Sequence, residues 1–74
     1  MNGYGVILFY TTSSAMRAEK LLKKANLTVK LVPVPRQFSS DCGIALRFGW
    51  PDKPAVESIL TKESVEYEAI HELT

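Results

Sequence analysis

The chain alternates between continuous apolar runs and amphipathic segments, and this pattern predicts its secondary structure. The apolar run at residues 4–10 predicts a first strand, because strands buried on both faces show no polar alternation. The hydroxyl residues at 11–14 are suitable N-caps for a following helix, and Asn26 is suited to end it in the left-handed conformation. Apolar positions recur at helical spacing between these limits, namely Ala15, Ala18, Leu21, Leu22 and Ala25.

Two strands follow this helix. Residues 27–34 predict a second strand, and Pro33 and Pro35 favour an edge position because proline donates no ladder hydrogen bond. Strict alternation of apolar residues at 44–48 predicts a third strand, which Gly49 interrupts.

A second helix and a fourth strand complete the chain. Asp52 is expected to cap the helix and Pro54 to lie in its first turn. Residues 66–73 alternate again and predict the last strand, with His71 within it. The buried side of the second helix is expected to consist of Ala55, Val56, Ile59 and Leu60.

The order β-α-β-β-α-β predicts an α+β ferredoxin-like sandwich. In this fold a four-stranded antiparallel sheet in the order 4-1-3-2 carries two helices on one face. That arrangement buries strands one and three at the centre, and these are the two most apolar strands of the sequence. We expect residues 1–74 to form one such domain.

Composition narrows the class of protein. The net charge is +1 and the nine basic residues are spread along the chain, so neither nucleic acid nor membrane is expected as a partner. The first apolar run is too short for a signal peptide or a membrane span. A single cysteine argues against a disulfide-stapled secreted fold. These features predict a soluble cytoplasmic protein.

Cys42 is the strongest candidate for chemistry. It ends the polar segment 35–43, which is long for a hairpin connection and enters the third strand. As the only cysteine it forms no internal disulfide, and a tight metal site needs about four ligands. We expect a solvent-reachable thiol that needs no metal or organic cofactor.

The surroundings of this thiol are predicted from the fold. We expect the C-termini of both helices at its end of the sheet, where their partial negative charge disfavours a thiolate. Arg36 would then supply positive charge, with Lys23 and Lys24 behind it. His71 is expected near the same end, within reach of Cys42 only through the loop.

Four further residues of the segment complete the predicted site. Ser39, Ser40 and Gly43 suit a loop whose backbone N–H groups face an anion, and glycine permits close approach by another molecule. Asp41 counts against activation of a neighbouring thiol, and capping a turn is its alternative role.

The stretch at 32–48, VPVPRQFSSDCGIALRF, resembles a family of small bacterial and archaeal proteins described as selenium/sulfur carrier-like. The elements Pro35-Arg36 and Ser40-Asp41-Cys42-Gly43 carry the resemblance. It implies a carrier rather than a turnover enzyme. Cys42 would accept sulfane sulfur or selenium as a persulfide or perselenide from a cysteine desulfurase-like donor protein, and an acceptor protein would remove it.

Two alternatives belong to other classes. The chain can be a non-catalytic ferredoxin-like module that binds a partner, or forms a homodimer, through its open sheet face or an edge strand. In that case Cys42 is a small buried residue. A thiol redox sensor, in which Cys42 is oxidised, is a third hypothesis.

Overall fold

The computed structural model describes residues 3–38 and 42–73. Its elements follow the predicted order β-α-β-β-α-β. A short 3-10 turn, Trp50–Asp52, leads into the second helix. The elements are β1 (Tyr4–Leu8), α1 (Thr12–Lys24), β2 (Val29–Pro33), β3 (Ile44–Gly49), α2 (Lys53–Lys62) and β4 (Ala69–Leu73).

The four strands form one antiparallel sheet in the order β2-β3-β1-β4, which confirms the predicted ferredoxin-like arrangement. β1 and β3 are central, and β2 with Pro33 lies at an edge, where a missing N–H donor is tolerated. β1, β2 and β4 are shorter than predicted, whereas β3 extends one residue beyond the predicted 44–48 to Gly49. The ladders on both sides of β1 end together at Leu8, opposite Ala45 and Ala69, so Phe9 and Tyr10 follow the strand.

One face of the sheet packs against both helices. The central strands contribute Ile7, Leu46 and Phe48 to this core, all essentially inaccessible to solvent. The helices contribute small and branched residues at helical spacing, namely Ala15, Ala18, Leu22, Val56 and Leu60. Burying each larger side chain stabilises the fold by about 1.5–3 kcal/mol before entropy is subtracted.

Helix α1 begins and ends as the sequence predicts. The Thr11 side chain is the N-cap and accepts a hydrogen bond from the Ser14 backbone N–H at 3.1 Å. Asn26 has a φ of 66°, and the N–H of Leu27 donates to the carbonyl of Leu22 at 3.0 Å, which closes the C-terminus.

Helix α2 departs from prediction at two positions. Asp52 lies at the N-cap but makes no side-chain capping hydrogen bond, because the preceding 3-10 turn gives it φ −86° and ψ 1° rather than an extended conformation. Ala55 is exposed. The buried stripe is centred on Val56 and Leu60, and Ile59 at its border is only half-buried.

The sheet face opposite the helices is partly covered by the chain between β2 and β3. Val34 and Phe38 of this connection pack against Val6, Leu8 and Ala45, which are buried there. The Phe38 ring stacks on His71 of β4, with ring centroids 4.2 Å apart and planes inclined by 11°. A turn from Pro35 to Phe38 brings the ring back over the sheet, since the Phe38 N–H donates to the Pro35 carbonyl at 3.0 Å.

Gly5 is required by the packing of β1, and replacing it with alanine should destabilise the protein. A Cβ at this position would lie 2.6 Å from a ring carbon of Phe48 and 2.7 Å from one of Trp50. Phe48 is fully buried and has no room to move, so we expect Gly5→Ala to cost about 1–3 kcal/mol, measured by urea unfolding. Gly43→Ala is the matched control, because a Cβ there meets nothing within 4 Å. Equal stability of the two variants would contradict this packing.

Candidate functional site

Cys42 lies where the connection from β2 enters β3, and the strand registers define which end of the sheet this is. Leu8 pairs with Ala45 and with Ala69, and Pro33 pairs with Ile44. The ends of β1 and β2 and the starts of β3 and β4 therefore meet at this end.

The helix termini at this end differ from those expected from the sequence. Helix α1 follows the end of β1, so its N-terminus lies here, whereas α2 runs toward this end and terminates here. The expectation that both helix C-termini flank Cys42 is wrong for α1. In a βαβ unit the helix starts where its first strand ends, and that same end receives the end of the second, parallel strand.

The Cys42 side chain contacts the first turn of α1. Its Sγ lies 3.5 Å from the Oγ1 of Thr12, the first residue of the helix, and either atom can donate in this hydrogen bond. Four N–H groups at a helix N-terminus lack intrahelical partners, and the aligned peptide dipoles give this end partial positive charge. The sulfur therefore lies beside a position that favours an anion.

Cys42 is buried, with 4% of its surface exposed. The expectation of a solvent-reachable thiol is therefore wrong. Within the described parts of the chain, however, Cys42 belongs to neither of the two apolar clusters that flank the sheet. One of its contacts is the hydroxyl of Thr12, a residue that is itself exposed. The thiol is thus a buried core residue with a polar group beside it.

Gly43 continues the backbone from Cys42 into β3. It is exposed, and its carbonyl accepts a hydrogen bond of 3.4 Å from the N–H of Val34. The space beside its Cα is open, since a Cβ built there would meet no atom within 4 Å. The backbone next to the cysteine is thus open to solvent even though the thiol is not.

The hydrogen bond described for Cys42 is to Thr12 and not to one of the cations expected beside the thiol. Arg36 is exposed at a central position of the Pro35–Phe38 turn, and no hydrogen bond or ion pair joins it to another described residue. Lys23 and Lys24 end α1, about 18 Å along its axis from Thr12. The structure brings Cys42 together with Thr12 instead. Ser39, Ser40 and Asp41 lie outside the described residues.

His71 lies at the middle of β4, opposite Val6, rather than at the end of the sheet that carries Cys42. Its ring stacks on Phe38. The position expected for His71 is therefore wrong, because β4 starts, rather than ends, at the cysteine end.

Sequence reasoning missed Thr12 and Phe38. The signal for Thr12 was topological: it follows β1, and strand order 4-1-3-2 places the end of β1 beside the start of β3. The signal for Phe38 was an aromatic residue within an otherwise polar connection, which is typical of a side chain that anchors a loop.

Neither a metal-ligand cluster nor a membrane-spanning helix is present in the parts of the chain that the structure describes. No group of three or more His, Cys, Asp or Glu side chains there is arranged to hold a metal ion. No helix among residues 3–38 and 42–73 has the length and apolar character needed to cross a membrane.

Comparison with known proteins gives one match. The model of a family described as "Putative Se/S carrier protein-like" matches residues 4–72, which include both helices, the first three strands, all but the last residue of β4, and Cys42. Neither the comparison with curated proteins nor the comparison with solved structures found a significant match.

The burial of Cys42 predicts slow reaction with an alkylating reagent. In the folded protein we expect iodoacetamide to modify Cys42 at least roughly ten times more slowly than in urea, because local opening must precede attack. The rate is followed by intact mass, with glutathione under both conditions as the control for solvent effects on thiol reactivity. Equal rates after this correction would mean that the thiol is open in the folded state.

Proposed function

The chain belongs to the Se/S carrier protein-like family, and on that premise we propose that it holds a sulfur or selenium atom on Cys42. The family match spans this residue, and Cys42 is the only cysteine in the sequence. A carrier that uses a thiol therefore has one candidate. The observation that most supports it is the 3.5 Å contact between Cys42 Sγ and the Thr12 hydroxyl in the first turn of α1.

The transfer is a thiol exchange at sulfur. The Cys42 thiolate attacks the terminal sulfane sulfur of a persulfide on a donor protein of the cysteine desulfurase class. A bond forms between Cys42 Sγ and that sulfur, the bond to the donor cysteine breaks, and the donor leaves as a thiolate. Attack by an acceptor thiolate on the carried atom repeats the exchange and regenerates Cys42. Selenium follows the same sequence as a perselenide, and neither step needs an external oxidant or reductant.

Thr12 and the start of α1 stabilise the anion that this chemistry produces. Loading starts from a Cys42 thiolate and transfer regenerates it, and its Sγ lies 3.5 Å from the Thr12 hydroxyl at the positive end of the helix dipole. Hydrogen bonds to charged groups are stronger than those between neutral ones. In this proposal Thr12 is a positioning residue that stabilises this thiolate.

The burial of Cys42 would protect a carried sulfur atom during storage, and the thiol must become exposed before the atom can be transferred. A covered sulfane sulfur is shielded from stray thiols, because exchange rates depend on access to the sulfur. The exposed Gly43 backbone and the exposed Arg36 side chain are the parts of this region that a donor or acceptor meets first. We propose that contact with the partner there opens the way to Cys42.

A second candidate function is the non-catalytic binding module, and the burial of Cys42 favours it. In that case the thiol fills space beside Thr12 and takes no part in transfer. A redox sensor would instead require oxidation of the same sulfur to a sulfenic acid or an intermolecular disulfide. The three hypotheses differ in the mass that Cys42 gains and in the reagent that adds it.

Persulfide loading is tested by intact mass after incubation with a cysteine desulfurase and cysteine. We expect the wild-type chain to gain about 32 Da, one sulfur atom, and dithiothreitol to remove it. Cys42→Ser is the matched control and should gain nothing. If the wild-type chain stays unmodified under conditions that load a known persulfide acceptor, the binding module becomes the better-supported hypothesis.

The role of Thr12 is tested by the lifetime of the loaded form. Thr12→Val keeps the shape of the side chain and removes the hydroxyl, so the Cys42 thiolate that leaves when sulfur is transferred loses a donor. We expect the loaded variant to lose its sulfur to glutathione roughly ten times more slowly than wild type, followed by intact mass. Thr12→Ser restores the hydroxyl and should restore the lifetime. Identical lifetimes in all three proteins would remove Thr12 from the mechanism.

A further inference from the structure

The sheet face opposite the helices is divided into two halves. Near Cys42 its row of residues is apolar and is covered by Val34 and Phe38. The row farther from Cys42 carries the cations Lys30 and Arg47, followed across Val6 by His71, whose ring is stacked on Phe38. Four neighbouring strands at about 4.8 Å spacing make this row about 14 Å long. We call it the basic row.

Two cations lie side by side on this half of the face, and one carboxylate lies at its rim, since Asp52 Oδ2 is 3.5 Å from where a Cβ would stand on Gly49, two residues after Arg47 on the same face. Lys30 and Arg47 face each other across β2 and β3, and neither forms an ion pair with a carboxylate among residues 3–38 and 42–73. Glu72 is the one acidic residue within the four strands. It pairs with Gly5 and therefore belongs to the other face.

An exposed aromatic ring stands next to the basic row. Tyr4 lies two residues before Val6 on the same face of β1, with half of its surface exposed. The Arg47 guanidinium lies over this ring, 4.6 Å from its centroid. Tyr4, Lys30 and Arg47 also line a cavity of about 80 Å³. Flat ring and guanidinium surfaces are thus presented beside positive charge.

We propose that this half of the sheet binds a short single-stranded nucleic acid segment. Sequence-tolerant binding of single strands combines aromatic rings on which bases stack with cations that follow the phosphates. A four-stranded sheet that presents aromatic side chains on its open face is one established platform for two or three unstacked bases. In this chain Tyr4 and the Arg47 plane would stack a base, and Lys30 would contact a phosphate.

An acidic protein surface fits the basic row less well. An acidic protein would need only the positive charge of Lys30 and Arg47 for binding. Such a partner would not make use of the exposed Tyr4 ring that is stacked with the Arg47 guanidinium. The even spread of basic residues along the sequence favours no nucleic acid partner. The sheet changes this, since it brings Lys30 and Arg47 from separate strands into register on one face, and neither forms an ion pair among the described residues.

The test is fluorescence anisotropy with a labelled oligouridine of about eight nucleotides at about 50 mM salt. Wild-type protein should bind saturably, with log affinity falling against log salt at a slope of about −0.7 for the one phosphate contact of Lys30. Tyr4→Ala should weaken binding about fivefold or more. Tyr10→Ala is its matched control, because both tyrosines are 50% exposed and Tyr10 lies outside this face.

A second pair of variants tests the charge. Lys30→Glu should weaken binding and reduce the salt slope, whereas Lys20→Glu makes the same change in charge on exposed α1 and should leave both unchanged. Tyr4→Leu keeps apolar bulk without a flat ring, and it replaces Tyr4→Ala if thermal unfolding shows that the alanine variant has lost its fold.

Three outcomes would overturn the proposal. The first is that wild-type protein does not bind oligouridine saturably. The second is that the variants and their matched controls lose the same affinity. The third is that polyglutamate competes with oligouridine while the Tyr4 variants still bind fully, which would indicate an acidic protein partner. Cys42→Ser should bind oligouridine like wild type, because Cys42 lies at the other end of the sheet. A negative result in the oligouridine experiment therefore does not affect the carrier proposal. A negative result in the persulfide-loading experiment likewise does not affect the nucleic acid proposal.

Discussion

The antiparallel pairing of β1 with β3 is the constraint on which the rest of the structure depends. Gly5 to Leu8 are buried on both faces of the sheet, so these strands hold the helices on one side and Val34 and Phe38 on the other. The register opposes Leu8 to Ala45. Since Thr12 follows Leu8 and Cys42 precedes Ala45 by a few residues, the same register brings hydroxyl and thiol together. Moving the register by two residues would keep each side chain on its face and separate this pair.

The burial of Cys42 changes how a carrier function has to work in this chain. An exposed thiol would react with any partner that reaches it, whereas a covered one exchanges sulfur only where its cover is displaced. In the proposed mechanism, the anion is stabilised by Thr12 rather than by the Arg36 guanidinium. A hydroxyl at a helix N-terminus is fixed by the backbone, while an exposed arginine pays side-chain entropy to hold one position.

The two ends of the open sheet face differ in how they avoid exposing apolar side chains to water. Near the cysteine end, the connection between β2 and β3 folds back, and Phe38 stacks on His71 to cover Leu8 and Ala45. At the other end the strands carry Lys30, Arg47 and Tyr4, whose polar groups remain in contact with water. This division separates the thiol from the basic row, so the two regions can bind different partners.

The sequence by itself determined the elements, their order and the central position of β1 and β3. These follow from local properties: apolar periodicity, Thr11 and Asn26 at the ends of α1, and prolines that only an edge strand accepts. It also singled out Cys42 and allowed the family resemblance to be stated. Only the tertiary structure decided that Cys42 is buried, that Thr12 contacts it and that Phe38 covers the sheet. Such contacts join residues far apart in the chain and depend on strand register, which no local pattern contains.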